Sequence, residues 1–334
     1  VAVKLVYDTR NAQESVREAQ KLLRVKHKNI VQLHRVHDLS PILGTASCAL
    51  EMEVVAGGDL SEHLDAARRR PEQRLPRAAV LRFSRQLLQA LVYLRDEMKW
   101  LHGDIKPQNM LLQCHPLPAD GSAIDYSDAE IKLADFGLAK VMDQENLSAS
   151  FMLSNASTKA GVVKGTMWYL SPEALHAASS GSSYERAVSD DLWSACLVIL
   201  EMDTGLAIQN ILTAHGGSVR IDELLTKTSP ELLPLLCSVL AVPSAASRCN
   251  SAAELLRMLE ASLDPLFTWQ LFDVASLKYV SVHPASSVFL EGAFSALVPR
   301  IALPLPPPLD LNFDIQPLLS SHTALGSQTE MRSL

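Results

Sequence analysis

The 334-residue sequence has few of the features that mark secreted or membrane-spanning proteins. Its five cysteines are an odd number with no C-x-x-C pair, so we expect reduced thiols and a cytoplasmic location. Its longest apolar run, residues 195–200, is far shorter than the roughly 18 residues that a membrane helix needs. We therefore expect no membrane partner.

Positive charge is also scarce. The formal net charge is −7, which argues against an extended surface for nucleic acid. The remaining composition, with 48% hydrophobic and 20% charged residues, is typical of a globular protein of one or two domains. We therefore expect no nucleic-acid partner.

The order of the apolar patterns predicts strands first and helices later. Apolar and β-branched residues predict strands over residues 1–7, 29–39 and 46–55. Apolar residues at helical spacing predict helices over residues 11–26, 76–98, 191–203, 232–240 and 251–263. This order favours a small sheet-bearing lobe followed by a helical lobe.

The stretch HGDIKPQN concentrates polar groups just after a predicted helix. Its Asp104, Lys106 and Asn109 can turn toward one point of an irregular loop. A carboxylate that orients a hydroxyl, an ammonium that neutralises phosphate and an amide oxygen that binds a divalent metal together suit a phosphorylated substrate. A solvated loop of unrelated polar residues is the alternative.

Three further charged residues lie in or beside predicted elements. Asp135 ends a short apolar strand, two residues before a glycine, and such a turn can present a carboxylate to a metal ion. Lys4 lies within the first strand, and Glu18 lies on the helix that follows. Because an unpaired buried ammonium is costly, we expect Glu18 to pair with Lys4. The alternative is a surface ion pair that contributes little.

Eight motifs occur in one order along the chain. They are V-A-V-K (1–4), Glu18, E-V-V-A-G-G-D-L (53–60), H-G-D-I-K-P-Q-N (102–109), D-F-G (135–137), G-T-M-W-Y-L-S-P-E (165–173), D-L-W-S (191–194) and Arg248. In this order the chain resembles a eukaryotic protein kinase domain of the Ser/Thr type, over roughly residues 1–262.

The resemblance implies an α+β, two-lobed protein-kinase-like fold. Residues 1–55 would form a partial N-terminal lobe, a small sheet with one helix that lacks its first two strands. Residues 56–264 would form a larger, mainly helical C-terminal lobe. Residues 265–334 would form a proline-rich extension that is partly disordered.

The resemblance also implies catalytic and metal-binding roles. Asp104 would accept or orient the proton of the substrate hydroxyl, and Lys106 would steady the γ-phosphate of ATP. Asn109 would complete the catalytic set. Asn109 and Asp135 would hold two Mg²⁺ ions.

Further residues are implied to bind the phosphates and ribose of ATP. Lys4, fixed by Glu18, would bind the α- and β-phosphates. Asp59 would reach the ribose.

The adenine would lie in a pocket of mainly apolar residues. Ala2 and Leu111 would enclose the ring, and Met52 would take the gatekeeper position at its back. Backbone groups of Glu53 and Val55 would bond its edge.

Gly103 departs from the family pattern, which has an arginine there that reads a phosphate on the activation segment. Glycine has no side chain to do this, so we expect no regulation by phosphorylation through this position. Glu173 and Arg248, in contrast, match a buried ion pair that secures the end of that segment.

The glycine-rich loop that precedes V-A-V-K in the family is also missing. We interpret this as truncation, because the sequence begins with Val1 in the middle of a predicted strand. Natural loss of this phosphate lid is the alternative.

The implied function is an ATP-dependent protein serine/threonine kinase that acts on a protein substrate. The alternative is a pseudokinase, a binding or scaffold module that transfers nothing. Retention of Lys4, Asp104 and Asp135 favours the enzyme. The run LPLPPPL at 303–309 favours polyproline II and an SH3-like partner, with an unstructured tail as the alternative.

Overall fold

A computed structural model describes most of the first 263 residues and a short segment beyond them. The described residues are 1–7, 20, 22–43, 47–118, 124–135, 140–141, 167–180, 182, 184–208, 221–242, 244–263, 269–273 and 278–282. Of the predicted helix over 11–26, residues 11–19 and 21 lie outside these residues, Gln20 and Leu22 are helical, and residues 23–26 are not. The proline-rich run at 303–309 also lies outside them.

The N-terminal part is a three-stranded antiparallel sheet with the order β1–β3–β2. Its strands are β1 (Ala2–Tyr7), β2 (Leu33–Asp38) and β3 (Ser47–Met52), and a short helix, α1 (Ser40–Leu43), joins the last two. All three strands fall within the predicted ranges. Along β1 the side chains alternate: Val3 and Leu5 are exposed, whereas Ala2 and Lys4 are half-buried on the opposite face.

The rest of the described chain is mainly helical. Its helices are α2 (Leu60–Arg68), α3 (Arg77–Tyr93), α4 (Pro172–Ser180), α5 (Val188–Thr204), α6 (Ile221–Leu225), α7 (Leu233–Leu240) and α8 (Ala252–Ser262). The predicted α+β architecture, with a small sheet followed by helices, is confirmed.

Two helices form the centre of the helical part. In α3, the predicted face that carries Val80, Leu87 and Leu91 is buried, together with Phe83. A π-helical turn, Leu94–Met98, extends α3 to the predicted end. Helix α5 is buried along nearly its whole length, as its apolar composition on every face predicts.

Short strands frame the loop between α3 and α4. β4 (Trp100–Leu101) pairs with β7 (Lys140–Val141), and β5 (Met110–Gln113) pairs antiparallel with β6 (Glu130–Leu133). These strands hold residues 102–109 in place from both sides. A further hairpin, β8 (Trp269–Asp273) with β9 (Lys278–Val282), follows α8.

The long connection between β5 and β6 is anchored in the core by Tyr126. This side chain is buried against Phe83, and its hydroxyl lies 3.0 Å from Nδ1 of His63 on α2. Nε2 of His63 lies 2.7 Å from the carbonyl oxygen of Gly57. Burial raises the pKa of Tyr126 to about 12, so the phenol stays neutral and can donate to the ring.

Candidate active site

A cleft of about 370 Å³ lies between the sheet and the helical part. Five apolar side chains form much of its wall: Leu22, Val25, Val31, Leu33 and Leu50. Eight of the residues proposed from the sequence also line it: Ala2, Lys4, Met52, Glu53, Val55, Asn109, Leu111 and Asp135. The cleft therefore combines an apolar chamber with a polar end.

The three residues expected to act in catalysis lie together beside the polar end, and of these three only Asn109 lines the cleft. Lys106 Nζ lies 2.8 Å from Oδ2 of Asp104. Asn109 Nδ2 donates to the same oxygen at 3.0 Å and to the backbone carbonyl of Asp104 at 2.8 Å. The Asp104 carboxylate is thus fixed between an ammonium and an amide.

His102 connects this loop to the strand that leads to Asp135. Its Nε2 lies 3.0 Å from the carbonyl oxygen of Ala134, and its Nδ1 accepts a 3.3 Å hydrogen bond from the Asp104 N–H. Burial lowers the pKa of His102. The ring is therefore neutral, with its proton on Nε2, because Nδ1 has to accept.

Asp191, near the start of α5, holds the backbone of the loop from below. Its two carboxylate oxygens accept from the N–H groups of His102 at 2.7 Å and Gly103 at 2.8 Å. Burial raises the pKa of Asp191, and these two hydrogen bonds oppose the rise. Gly103 has a φ of +81°, in the left-handed region that suits glycine.

Asp135 lies opposite this loop and forms an ion pair with Lys4. The Lys4 ammonium is 2.6 Å from Oδ1 of Asp135, and both side chains are more than 40% exposed. Asp135 has a φ of +60°, an uncommon backbone conformation for a residue other than glycine. Glu18, the partner predicted for Lys4, lies outside the described residues, so that pair stays a prediction.

The site fits a metal ion that arrives with a nucleotide. Among the described residues, no group of three or more His, Cys, Asp or Glu could hold a metal by itself. Mg²⁺ needs only one or two protein ligands when phosphates and water supply the rest. The Asn109 nitrogen faces Asp104, which leaves the amide oxygen as its metal-binding group in the cleft that Asp135 also lines.

A family model described as the protein kinase domain matches residues 1–256. The chain belongs to this family. The candidate site is thus part of a kinase domain. It consists of Asp104, Lys106 and Asn109, the cleft beside them, and Asp135.

Several curated kinases are similar to this kinase domain. Serine/threonine-protein kinase atg1 of Dictyostelium discoideum is 31% identical over 56% of this chain and 23% of its own length. Mitogen-activated protein kinase 4 of Homo sapiens is 28% identical over 69% of this chain and 34% of its own length. Mitogen-activated protein kinase kinase 9 of Arabidopsis thaliana is 30% identical over 57% of this chain and 49% of its own length. The chain therefore spans less than half of the length of each of these relatives.

The described part of the kinase domain contains no helix that is long and apolar enough to cross a membrane.

The segment after β3 carries the groups expected to meet adenine. The Glu53 N–H donates to the carbonyl of Gln32 at 3.0 Å, so the Glu53 carbonyl is the group that can accept from the adenine amino group. The Glu53 carboxylate binds Lys132 Nζ on β6 at 3.1 Å. This ion pair, which no pattern in the sequence signals, ties the segment to the helical part of the kinase domain.

Asp59 lies at the start of α2, outside the lining of the cleft. Its Oδ1 accepts from the N–H groups of Ser61 at 2.9 Å and Glu62 at 3.2 Å, which caps the helix. Its expected contact with ribose stays a prediction. The cap itself was readable in the sequence, because Asp59 is followed three residues later by Glu62.

Two ion pairs, each with one buried and one half-buried partner, lie around residues 167–173. Glu173 and Arg248 form the predicted pair at 2.8 Å, with the guanidinium 4.5 Å from the ring centre of Trp193. The sequence did not reveal the second pair, in which Arg68 Nη2 lies 2.6 Å from Glu201 Oε1.

Tyr169 completes the second pair, because its hydroxyl donates to the other oxygen of Glu201 at 2.5 Å. The Arg68 Nε–H also donates to the carbonyl of Gly205 at 2.7 Å. This network of Arg68, Glu201 and Tyr169 links α2, α5 and the segment that precedes α4.

Proposed function

We propose that the protein is an ATP-dependent serine/threonine kinase that transfers the γ-phosphoryl group of Mg-ATP to a hydroxyl of a protein substrate. One observation carries the proposal. Asp104, Lys106 and Asn109 form a hydrogen-bonded group, and through Asn109 this group adjoins a cleft that Lys4 and Asp135 line.

The proposed transfer makes few covalent demands on the protein. The substrate hydroxyl oxygen forms a bond to the γ-phosphorus, the bond from that phosphorus to the β-bridging oxygen breaks, and ADP leaves. Asp104 orients the hydroxyl and accepts its proton. Lys106 and Lys4 place positive charge beside the phosphates, where negative charge develops.

Asn109 and Asp135 would hold Mg²⁺ in the proposed mechanism. When bound there, Mg²⁺ would supply positive charge that neutralises the phosphates. Both residues supply oxygen ligands, which Mg²⁺ prefers, and both line the cleft.

The apolar chamber supports adenine as the base. Ala2 and Leu111 lie on the wall, with Met52 nearby. Backbone groups of Glu53 and Val55 provide the polar edge, so the cleft has the mixture of apolar walls and few polar groups that small-molecule sites share.

A pseudokinase is the second candidate, and one observation favours it. The Lys4 ammonium is in direct contact with the Asp135 carboxylate, so the two groups proposed for phosphate and metal neutralise each other. Nucleotide binding has to replace this contact. The pair is well exposed and therefore weak, and phosphate and Mg²⁺ offer each group a stronger partner.

We expect Mg-ATP to stabilise the full-length protein against thermal unfolding, and ATP without Mg²⁺ to do so much less. A ligand at a hundredfold excess over its Kd adds about 2.7 kcal/mol to the free energy of unfolding. Differential scanning fluorimetry with ATP, with and without Mg²⁺, measures the shift. Absence of any shift at millimolar Mg-ATP would contradict ATP binding. A clear shift without phosphoryl transfer to serine or threonine peptides would favour the pseudokinase.

We expect the rate of peptide phosphorylation to change less than tenfold when the purified enzyme is treated with phosphatase. A phosphate orders a segment through an arginine partner, and Gly103 offers no side chain at the position that the family uses. The serines of residues 148–158 lie outside the described residues. A tenfold loss, about 1.4 kcal/mol in the barrier, would show that another cation reads such a phosphate.

We also propose a cytoplasmic location and protein substrates. All five cysteines are free thiols, which fits a reducing compartment. The SH3-like partner stays a prediction, because the run at 303–309 lies outside the described residues.

A further inference from the structure

The two backbone polar groups of Gly103, the residue before Asp104, are held by two side chains from the other side of the helical part. The Gly103 N–H donates to Asp191 Oδ1 at 2.8 Å. The Gly103 carbonyl accepts from Nη1 of Arg186. Both polar groups of Gly103 are therefore fixed, and its carbonyl belongs to the peptide plane from which Asp104 extends.

The backbone of Gly103, which directs these two polar groups, lies in the left-handed region of φ and ψ. Its φ is +81°, a conformation that side chains with a Cβ rarely adopt. The same loop places the Asp104 N–H against Nδ1 of His102. A change at the Gly103 carbonyl would therefore rotate the backbone of Asp104 away from its hydrogen bonds to Lys106 and Asn109.

The segment that carries Arg186 is itself anchored. Asp190, at the start of α5, accepts from the N–H of Ala187 at 2.8 Å, the hydroxyl of Tyr184 at 2.9 Å and the hydroxyl of Ser171 at 2.5 Å. Arg186 thus extends from a segment with a defined backbone. Its positive charge also opposes the rise in the pKa of Asp191 that burial causes.

The hydrogen-bond donors of Arg186 are only partly used, which is unfavourable for a residue with a purely structural role. Its Nη2 is buried and has no hydrogen-bond partner in the described part of the chain. An unpaired buried donor destabilises a fold. The one contact that its other terminal nitrogen makes, with Gly103, lies beside the proposed catalytic carboxylate.

We propose that Arg186 is a positioning residue for phosphoryl transfer. Its guanidinium holds the Gly103 carbonyl and, through this peptide, sets the direction of the Asp104 carboxylate. A glycine at position 103 makes the backbone free to adopt this geometry, and Arg186 removes that freedom. The inference rests on the proposed kinase function.

The test compares three variants of the full-length protein in steady-state assays with ATP and a peptide. Arg186→Met removes the donor and keeps the apolar stem, and Arg186→Lys keeps one donor on a flexible stem. Arg85→Met is the matched control, because Arg85 forms an exposed ion pair with Glu260 away from the site. We expect Arg186→Met to lower kcat at least tenfold with the KM for ATP changed less than twofold. Arg186→Lys should recover part of kcat, and Arg85→Met should match the wild type.

Thermal melting separates positioning from a role in folding alone. A folded Arg186→Met variant with wild-type kcat overturns the inference. So does a variant whose kcat falls only in proportion to its folded fraction. If Arg186→Met does not fold, the Arg186→Lys variant decides. The inference is overturned if this variant has a lowered melting temperature but an unchanged kcat. It is supported if the variant is fully folded and its kcat is lowered. A wild type without transfer would overturn the proposed function, whereas equal activity of the wild type and Arg186→Met overturns this inference alone.

Discussion

Replacement of Asp104 by asparagine is expected to lower kcat by about 10²- to 10⁴-fold, the range that a positioned proton acceptor contributes. The amide has nearly the same shape but cannot take the proton of the substrate hydroxyl. It also loses the ion pair to Lys106, which lies 2.8 Å from Oδ2 in the wild type. The Mg-ATP-induced thermal shift should persist, because Asp104 is not among the residues that line the nucleotide cleft.

The matched control for this variant is Asp128→Asn. Asp128 is exposed in the connection between β5 and β6, so the same chemical change there should leave kcat unchanged. Initial rates at saturating ATP and peptide measure both variants. A fully active Asp104→Asn variant would remove the main support for the proposed mechanism.

Replacement of Arg68 by methionine is expected to lower the free energy of unfolding at neutral pH by about 3–5 kcal/mol, the usual effect of removing one partner of a buried ion pair. Glu201 is only 5% exposed and lies 2.6 Å from the guanidinium. Methionine keeps much of the apolar stem but leaves the carboxylate without a cation, with the Tyr169 hydroxyl and the Ile208 backbone N–H as its remaining donors. Urea unfolding followed by circular dichroism measures the loss.

The loss caused by Arg68→Met should also depend on pH. Burial raises the pKa of Glu201, and the hydrogen bond from Tyr169 and the charge of Arg68 lower it. Without Arg68 this pKa rises further above its ordinary value of about 4.3. The folded variant then binds a proton more tightly than the unfolded chain, so it loses stability relative to the wild type as pH rises. The difference between variant and wild type should be larger at pH 8 than at pH 5.

Arg85→Met again provides the control, since its partner Glu260 is 42% exposed. An exposed pair contributes about 0–1 kcal/mol, so this variant should unfold almost as the wild type does. The loss of unfolding free energy for Arg68→Met could instead be as small as that of the control, or could stay constant with pH. Either result would contradict the view that Arg68 stabilises the ionised Glu201 carboxylate.

The sequence was sufficient to predict most of the described fold. Helices α3, α5, α7 and α8 follow the predicted ranges, because their apolar residues repeat with the helical period and face one core. Helices α1, α2, α4 and α6 were missed, since short helices lack the long apolar stripe that marks the others. The π-helical turn after α3 ends at Lys99, whose positive φ of 58° is set by local geometry.

The candidate site was predictable where spacing along the chain decides it. Asp104, Lys106 and Asn109 lie in one loop, and the structure brings them together as their spacing suggests. The contact between Lys4 and Asp135 was not predictable, because the two residues are 131 positions apart. Arg186 was missed for the same reason, and no local pattern marks an arginine that binds a distant backbone carbonyl.

Helix α5 carries four buried carboxylates, and because of their distribution we expect it to be the last unit of the helical part to open. Asp190 and Asp191 lie near its N-terminus, where the helix dipole favours negative charge, and hold the segments around Ala187 and Gly103. Glu201 and Asp203 lie near its C-terminus, where the dipole disfavours them, so they depend on Arg68 and Ser229. Local opening of the catalytic loop therefore requires breaking contacts to the most deeply buried helix. Amide hydrogens at residues 102–104 should exchange with solvent nearly as slowly as those of α5, in one cooperative unit.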